Sequence, residues 1–152
     1  MDYIKHNKEE HSEFKKLMKK IEKASGKEKK KLFRKLFVKL YGHHNGEEAV
    51  VFPAVKENVS GKDLDTVLEM IEEHKLGNYQ FSVLERTSIE NETWDAKFAV
   101  LKEVLEHHMD EEEDEFSAIA KKALSKKDRE QLLEEFEEVS AKKEKEKKKD
   151  LK

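Results

Sequence analysis

The feature that most limits the fold of this chain is the spacing of its apolar residues, which recur every three or four positions through most of its length. This spacing places them along one face of an α-helix. Residues that interrupt helices are rare, because the 152 residues include only five glycines and one proline. No segment shows the sustained alternation of a β-strand. The sequence therefore predicts an all-α protein.

Four short polar segments, SGKEK, VSGKD, SIENET and LSKKD, divide the chain into helical pieces. The predicted helices span residues 2–24, 27–58, 61–87, 91–123 and 126–142. The length suits a single domain. We expect an up-down-up-down four-helix bundle with a short fifth C-terminal helix, occupying 1–142, and no accessory domain beside it. The charged tail, 143–152, has too few apolar residues to fold and is expected to be disordered.

Composition excludes several classes of function. The 35 acidic and 32 basic residues are spread along the chain and give a net charge of -3, which disfavours nucleic acid and anionic membranes as partners. The chain has no cysteine, so any metal would need nitrogen and oxygen ligands. The beginning of the sequence lacks the apolar core of a signal peptide, and no run is long enough to span a membrane. The sequence therefore predicts a cytoplasmic protein.

Histidines fall on the predicted buried face of all four long helices, and glutamates follow two of them by four residues. These six candidate metal ligands are His11, His43, Glu47, His74, His108 and Glu112. Residues four apart on a helix lie one above the other, so each His-x-x-x-Glu pair directs an imidazole and a carboxylate at the same point. A single buried histidine is more often a hydrogen-bonded core residue. Six such groups in the buried register of four helices favour a metal site, because buried carboxylates without cations are costly.

Six ligands of this kind suit two ions. Glu47 and Glu112 would bridge the ions, and the four imidazoles would be terminal ligands. Imidazole and carboxylate together favour iron, with manganese or zinc as alternatives. The sequence thus predicts a buried site for two metal ions.

The adjacent histidines leave a question of register. In helix 2 the distance to Pro53 selects His43. In helix 4 the apolar seam favours His108 over His107, although aligning Phe116 with the aromatic residue of helix 2 favours the earlier position. The remaining histidines, His6, His44 and His107, are then expected to flank the site or to face solvent, with His6 on a frayed helix end.

These motifs resemble those of the hemerythrin-like, or HHE cation-binding, domain family. The resemblance covers residues 2 to about 123 and is carried by His11 with the apolar residues that follow it, HHNGEEAVVFP, EEHKLGNYQF and HMDEEEDEF. It implies a bundle around an oxo- or hydroxo-bridged pair of non-haem iron ions, with Pro53 ending or kinking helix 2. It further implies a protein that binds or reacts with dioxygen, peroxide or nitric oxide, in sensing, scavenging or an iron or redox response, rather than a dedicated enzyme.

One departure from the family pattern bears on function. Oxygen-carrying hemerythrins have a further histidine four residues after the helix 3 ligand, where this chain has Asn78 on the predicted buried face. A set of four histidines and two glutamates is more similar to family members linked to iron sensing, nitric oxide response or repair of iron centres. We therefore expect reaction with oxygen rather than its storage.

The residue pattern bears on three alternative functions. A reversible oxygen carrier and a metal-free helical interaction module stay open, and no protein partner is indicated. A ferritin-like di-iron oxidase is disfavoured, because that class uses Glu-x-x-His pairs and none of the seven histidines has a glutamate three residues before it.

Overall fold

The computed structural model describes residues 1–151, which form five long helices. The helix bounds are α1, Tyr3–Lys23; α2, Gly26–Gly46 followed by a π-helical turn at Glu47–Val51 and by Phe52–Lys56; α3, Gly61–Glu85; α4, Trp94–Glu111 followed by a π-helical turn at Glu112–Phe116 and by Ser117–Ala123; and α5, Lys126–Asp150. The predicted class, an all-α four-helix bundle with an additional C-terminal helix, is confirmed.

The first and last helices begin with side-chain caps that satisfy free backbone N–H groups. Asp2 accepts a hydrogen bond from the backbone of Lys5 at 3.1 Å, and Ser125 accepts one from the backbone of Asp128 at 3.1 Å. The Arg129 guanidinium lies 2.9 Å from the carboxylate of Asp2. This ion pair holds the beginning of α5 against the beginning of α1.

Two apolar clusters fill the bundle on either side of its middle. One contains Phe14, Met18, Phe33, Trp94 and Leu101 among its members. The other contains Val51, Phe52, Val67, Phe116 and Phe136 among its members. The buried histidines and glutamates lie between these clusters in sequence, at the middle of the helices. The burial of apolar side chains at both ends therefore supports a polar centre in the interior.

The two π-helical turns shift the buried face of α2 and α4. A π turn closes its hydrogen bonds over five residues instead of four, so the residues that follow it are rotated relative to an α-helical pattern. Continued at helical spacing from His43 and Glu47, the buried seam of helix 2 predicted from the sequence would include Val50 and Ala54, but these are only partly buried. Val51 and Val55 are fully buried instead. The predicted seam is therefore wrong by one position after Glu47.

Helix α2 does not end at its proline. It continues past Pro53 to Lys56, and the π-helical turn immediately precedes the proline ring. A proline lacks the N–H that an α turn requires and crowds the preceding turn. The departure from α geometry lies just before Pro53 and begins at the buried Glu47.

Helix α5 extends further than its sequence indicates. It was predicted to end at 142, with 143–152 disordered, whereas the helix continues to Asp150 and residue 152 lies outside the described residues. Lys147 explains part of this extension, because its ammonium group lies 4.5 Å from the centre of the Phe37 ring and 3.3 Å from the carboxylate of Glu85. A lysine can cover apolar surface with its stem while its charge is paired or solvated.

Helices α2 and α5 approach each other closely at two glycines. A Cβ atom at Gly46 would lie 2.7 Å from the Phe136 ring, and one at Gly42 would lie 2.7 Å from the carbonyl oxygen of Ser140. Only glycine permits this approach, which presses Phe136 against the middle of the bundle. Over the described residues, no helix is both long and apolar enough to cross a membrane.

Candidate metal centre

The six predicted ligands lie together in the interior, between α1, α2, α3 and α4. They are His11, His43, Glu47, His74, His108 and Glu112, and none is more than 3% exposed. Ligand atoms from Glu47, His74, His108 and Glu112 all lie within 4.8 Å of one another, as do those of His11, His43 and Glu112. The structure therefore brings all six predicted residues into one cluster.

Each glutamate lies between histidines of two different helices. Oε1 of Glu47 lies 3.1 Å from Nε2 of both His43 and His74. Glu112 contacts its two histidines with separate oxygens, with Oε1 3.3 Å from Nε2 of His11 and Oε2 3.0 Å from Nε2 of His108. The four histidines form two pairs, His11 with His43 and His74 with His108. Each carboxylate contacts one histidine of each pair, as a carboxylate shared between two ions would.

The histidine pairs are compact. The ring centres of His11 and His43 are 5.4 Å apart, and those of His74 and His108 are 4.6 Å apart. Each pair presents two Nε2 atoms toward the two glutamates. Each pair could hold one ion, with both glutamates shared between the ions.

An outer carboxylate faces the second ring nitrogen of every one of these histidines. Nδ1 of His11 lies 3.1 Å from Glu113 and Nδ1 of His43 lies 3.4 Å from Glu10. On the other pair, Nδ1 of His74 lies 3.2 Å from Glu48 and Nδ1 of His108 lies 3.1 Å from Glu73. Metal-binding histidines typically donate their free N–H to such a group, which fixes the tautomer and orients the ring.

Helix α1 also orients the two central glutamates. The phenol of Tyr3 donates a hydrogen bond to Oε2 of Glu47, and the amide of Asn7 donates to Oε1 of Glu112 at 2.6 Å. Tyr3, Asn7 and His11 are four residues apart, so they form one inward row on the helix. Burial, together with the charges of Glu47 and Glu112, raises the pKa of Tyr3 well above its usual value. The phenol therefore keeps its proton and acts as a donor.

In the metal-free protein the histidines balance the buried glutamates. Burial lowers the pKa of His108, but the nearby carboxylates of Glu112 and Glu73 outweigh the effect of burial and raise this pKa to about 10. The pKa of His43 is also raised well above its usual value, because Glu47 and Glu10 outweigh the effect of burial. The carboxylates beside these rings thus favour a positive charge in the cluster, either on an imidazolium or on a metal ion.

Several polar atoms of the cluster are left without a hydrogen-bond partner, and a metal ion would satisfy most of them. Nδ1 and Nε2 of His43, Nε2 of His108 and Oε2 of Glu112 are buried and lack a well-aligned hydrogen-bond partner. Buried polar atoms are normally paired, so these atoms require an explanation. A cation would satisfy all three inward-facing atoms, and the nitrogen and oxygen donor set suits iron, manganese or zinc.

Three further histidines lie outside this set. His107 is exposed on α4, with its ring 3.0 Å from Glu111. His6 lies on an intact part of α1, not on a frayed end, and its ring is 2.5 Å from Glu10. His44 is buried, and its ring packs on that of His74 with the centres 4.0 Å apart. The structure therefore places the pair that includes His108, not His107, in the interior.

Asn78 does not face the cluster. It is exposed, and its amide oxygen lies 3.2 Å from Nδ1 of His44, while its amide nitrogen donates to Glu48 at 3.2 Å. The prediction that Asn78 lies on the buried face is therefore wrong, because Gly77 occupies that position on α3. Burial and the positive charges of His74, His43 and His108 lower the pKa of His44 well below its usual value, so His44 is neutral.

Sequence reasoning missed the groups that orient the ligands. These are Tyr3, Asn7, Glu10, Glu48, Glu73 and Glu113. A signal existed for two of them, since Tyr3 and Asn7 continue the row of His11 toward the N-terminus. No such signal marks the four outer glutamates, because acidic residues are abundant in this chain.

The bundle and its centre define a class of protein: a helical bundle with a buried histidine and carboxylate cluster suited to cations. The family model of the hemerythrin HHE cation-binding domain matches residues 2–120, most of the chain. The chain therefore belongs to the hemerythrin HHE cation-binding domain family.

A solved structure supports the same assignment. The chain is similar to a hemerythrin HHE cation-binding domain-containing protein from Mycobacterium kansasii, with 26% sequence identity and a TM-score of 0.80. The similarity covers 99% of this chain and 90% of that chain, so it includes α5. A comparison with curated protein sequences found no match.

Proposed function

We propose that this protein holds two iron ions in the cluster and uses them to bind or react with dioxygen, peroxide or nitric oxide. The observation that carries the proposal is the double contact of each imidazole. Nε2 of all four histidines faces a central glutamate, and Nδ1 of all four faces an outer glutamate. Histidines held in a core only by hydrogen bonds would have no common reason to direct Nε2 inward and Nδ1 outward.

The residues have distinct roles in this proposal. His11 and His43 would hold one ion, His74 and His108 would hold the other, and Glu47 and Glu112 would be shared between the two. Tyr3 and Asn7 fix the bridging carboxylates from α1. Iron held by these residues would supply electrons to small oxidants.

A cavity beside the cluster has room for a small ligand. It has a volume of about 310 Å³ and lies between α2, α3 and α5. Phe37, Leu40 and Phe81 line it, and neutral His44 and Asn78 form part of its polar wall. Because the ring of His44 packs on that of His74, the cavity reaches the residues beside the cluster. The wall also includes the charged side chains Glu48, Glu85 and Lys147, so the lining is mixed. The side formed by Phe37, Leu40 and Phe81 offers apolar surface to an uncharged diatomic molecule.

The proposed reaction is oxidation rather than reversible storage of dioxygen. Each ion would have two imidazoles and the shared bridges, which leaves exchangeable positions on both. Asn78 adds no imidazole, since it is exposed and bonded to His44 and Glu48. A carrier would instead saturate one ion and leave a single open position on the other. Sensing, scavenging and an iron or redox response are all compatible with this chemistry.

Metal analysis after aerobic purification is the first test. We expect close to two iron ions per chain, and removal by a chelator should lower the melting temperature. At a free metal concentration a thousand times the dissociation constant, each ion stabilises the fold by about 4 kcal/mol. A chain without bound metal and with an unchanged melt would favour a metal-free interaction module instead.

Rapid mixing separates reaction from storage. Reduced protein mixed with oxygenated buffer should oxidise without releasing dioxygen when the pressure is lowered. Repeated, reversible uptake over hours under cycles of air and vacuum would identify a carrier and overturn the proposal of oxidation.

A further inference from the structure

An acidic groove lies between α1 and α5, outside the cluster. Its volume is about 420 Å³, and its charged or titratable lining consists of Glu9, Glu10, Glu13, Glu137, Glu144 and His6. Among the described residues no lysine or arginine lines it. Acidic residues concentrated in a groove focus a negative potential, which raises the local concentration of cations.

His43 connects this groove with the cluster. Its ring is 1% exposed, and its Nδ1, which has no well-aligned hydrogen-bond partner, lies 3.4 Å from Oε2 of Glu10. Nε2 of the same ring lies 3.1 Å from Oε1 of Glu47. The ring of His43 therefore stands between a glutamate of the groove and a glutamate of the cluster.

The inner end of the groove offers ligands for a divalent cation. Nε2 of His6 lies 2.5 Å from Oε1 of Glu10, and Nδ1 of His6 lies 3.9 Å from Glu137. Glu10 thus has one oxygen beside His6 and the other beside His43. The His6 imidazole and the Glu10 carboxylate are donors that divalent transition metals accept.

We propose that this groove takes up divalent metal ions and delivers them to the buried cluster, with His6 and Glu10 as the first point of binding. The proposal rests on the proposed function, because delivery requires a centre that binds metal. The remaining glutamates of the groove attract the ion from solution. Glu10 then passes the ion to the cluster beside the ring of His43, which lies between the groove and the cluster.

The test measures how fast the metal-free full-length protein takes up Co²⁺, with visible absorption in a stopped-flow instrument as the signal. The groove variant is E9Q/E13Q/E137Q, which removes three exposed carboxylates and leaves His6 and Glu10 in place. The matched control, E90Q/E92Q/E103Q, removes three exposed carboxylates away from the groove and changes the net charge equally.

At low ionic strength we expect the groove variant to load at least about threefold more slowly than the control, because electrostatic attraction of this kind changes association rates by tenfold or more. The difference should shrink at 1 M salt, where the Debye length is about 3 Å. The final occupancy and the spectrum should match those of the wild type, because the cluster is unchanged.

Equal loading rates for the two triple variants would overturn the proposal. A third variant, H107A/E111Q, tests the exposed group of Glu73, His107 and Glu111 on the other side of the bundle. Slower loading in that variant, with normal rates in the groove variant, would also overturn it. Failure of the wild type to bind Co²⁺ at all would reject the proposed function itself, which distinguishes the two failures.

Discussion

The phenol of Tyr3 donates a hydrogen bond to Oε2 of Glu47, so the first turn of α1 orients a carboxylate on α2. Both side chains are buried, and Phe136 on α5 packs edge-on against the Tyr3 ring with the centres 5.2 Å apart. Three helices therefore meet at one central carboxylate of the candidate centre. The orientation of this ligand depends on contacts that lie far apart in the sequence.

Tyr3→Phe should weaken metal binding without preventing folding. Loss of the hydroxyl leaves Oε2 of Glu47 without its donor, and removal of an outer partner typically lowers metal affinity about 10-fold to 100-fold. The metal-free protein should lose about 1–3 kcal/mol of stability, because a buried acceptor is left unpaired. Competition with a chelator and thermal melts would measure both effects. The control is Tyr79→Phe, since Tyr79 is 63% exposed, and equal affinities in the two variants would contradict the role given to Tyr3.

The register of α4 can be tested by paired substitutions. His108→Ala and Glu112→Ala should lose bound metal, because these side chains are buried and face the cluster. His107→Ala and Glu111→Ala should retain it, because the His107 side chain is 67% exposed and contacts Glu111 at the surface. Elemental analysis of the four purified variants gives the answer. The reverse pattern would show that the other face of α4 binds the metal.

The stabilisation by metal should increase with pH. In the metal-free protein the pKa of His108 is raised to about 10. Its charged form therefore stabilises the fold fully below the unfolded value of about 6.5, and this contribution is lost as pH rises toward 10. Metal binding displaces these imidazolium protons, so affinity rises over the same range.

The measurement compares melting temperatures of Zn²⁺-loaded and metal-free protein between pH 6.5 and 9. We expect the gap between them to widen with pH. Titration of Zn²⁺ into unbuffered protein near pH 7 should also release protons. A gap that stays constant or narrows would contradict protonated histidines in the metal-free cluster.

Gly46→Ala should destabilise the contact between α2 and α5. The added Cβ would lie 2.7 Å from the Phe136 ring, so α5 must move or the ring must leave its position. Overpacking of this kind costs about 1–3 kcal/mol. Gly77→Ala is the control, because its Cβ would lie 3.5 Å from Leu105, an ordinary contact, and alanine favours a helix. Urea unfolding should therefore show a loss for Gly46→Ala and little change or a gain for Gly77→Ala.

The row formed by Tyr3, Asn7 and His11 shows what a sequence pattern can predict and what it cannot. The spacing of His11 from the apolar residues of α1 is local, so its inward direction could be predicted. That Tyr3 donates to Glu47 and Asn7 to Glu112 could not, because these contacts depend on how α1 is placed against α2 and α4. The contact of Glu10 with His43 could not be predicted either, because nothing in the sequence distinguishes Glu10 from the other glutamates.

The sequence by itself determined the all-α class, the four bundle helices and the inward direction of the six candidate ligands, because helical periodicity is a local property with a fixed geometry. Only the tertiary structure decided the π-helical turns that begin at Glu47 and Glu112, the outward position of Asn78 and the extension of α5 to Asp150. A π turn adds a residue that no period of 3.6 anticipates. The charged end of α5 is helical where it packs on α2, through contacts such as Lys147 with Phe37, which no local pattern contains.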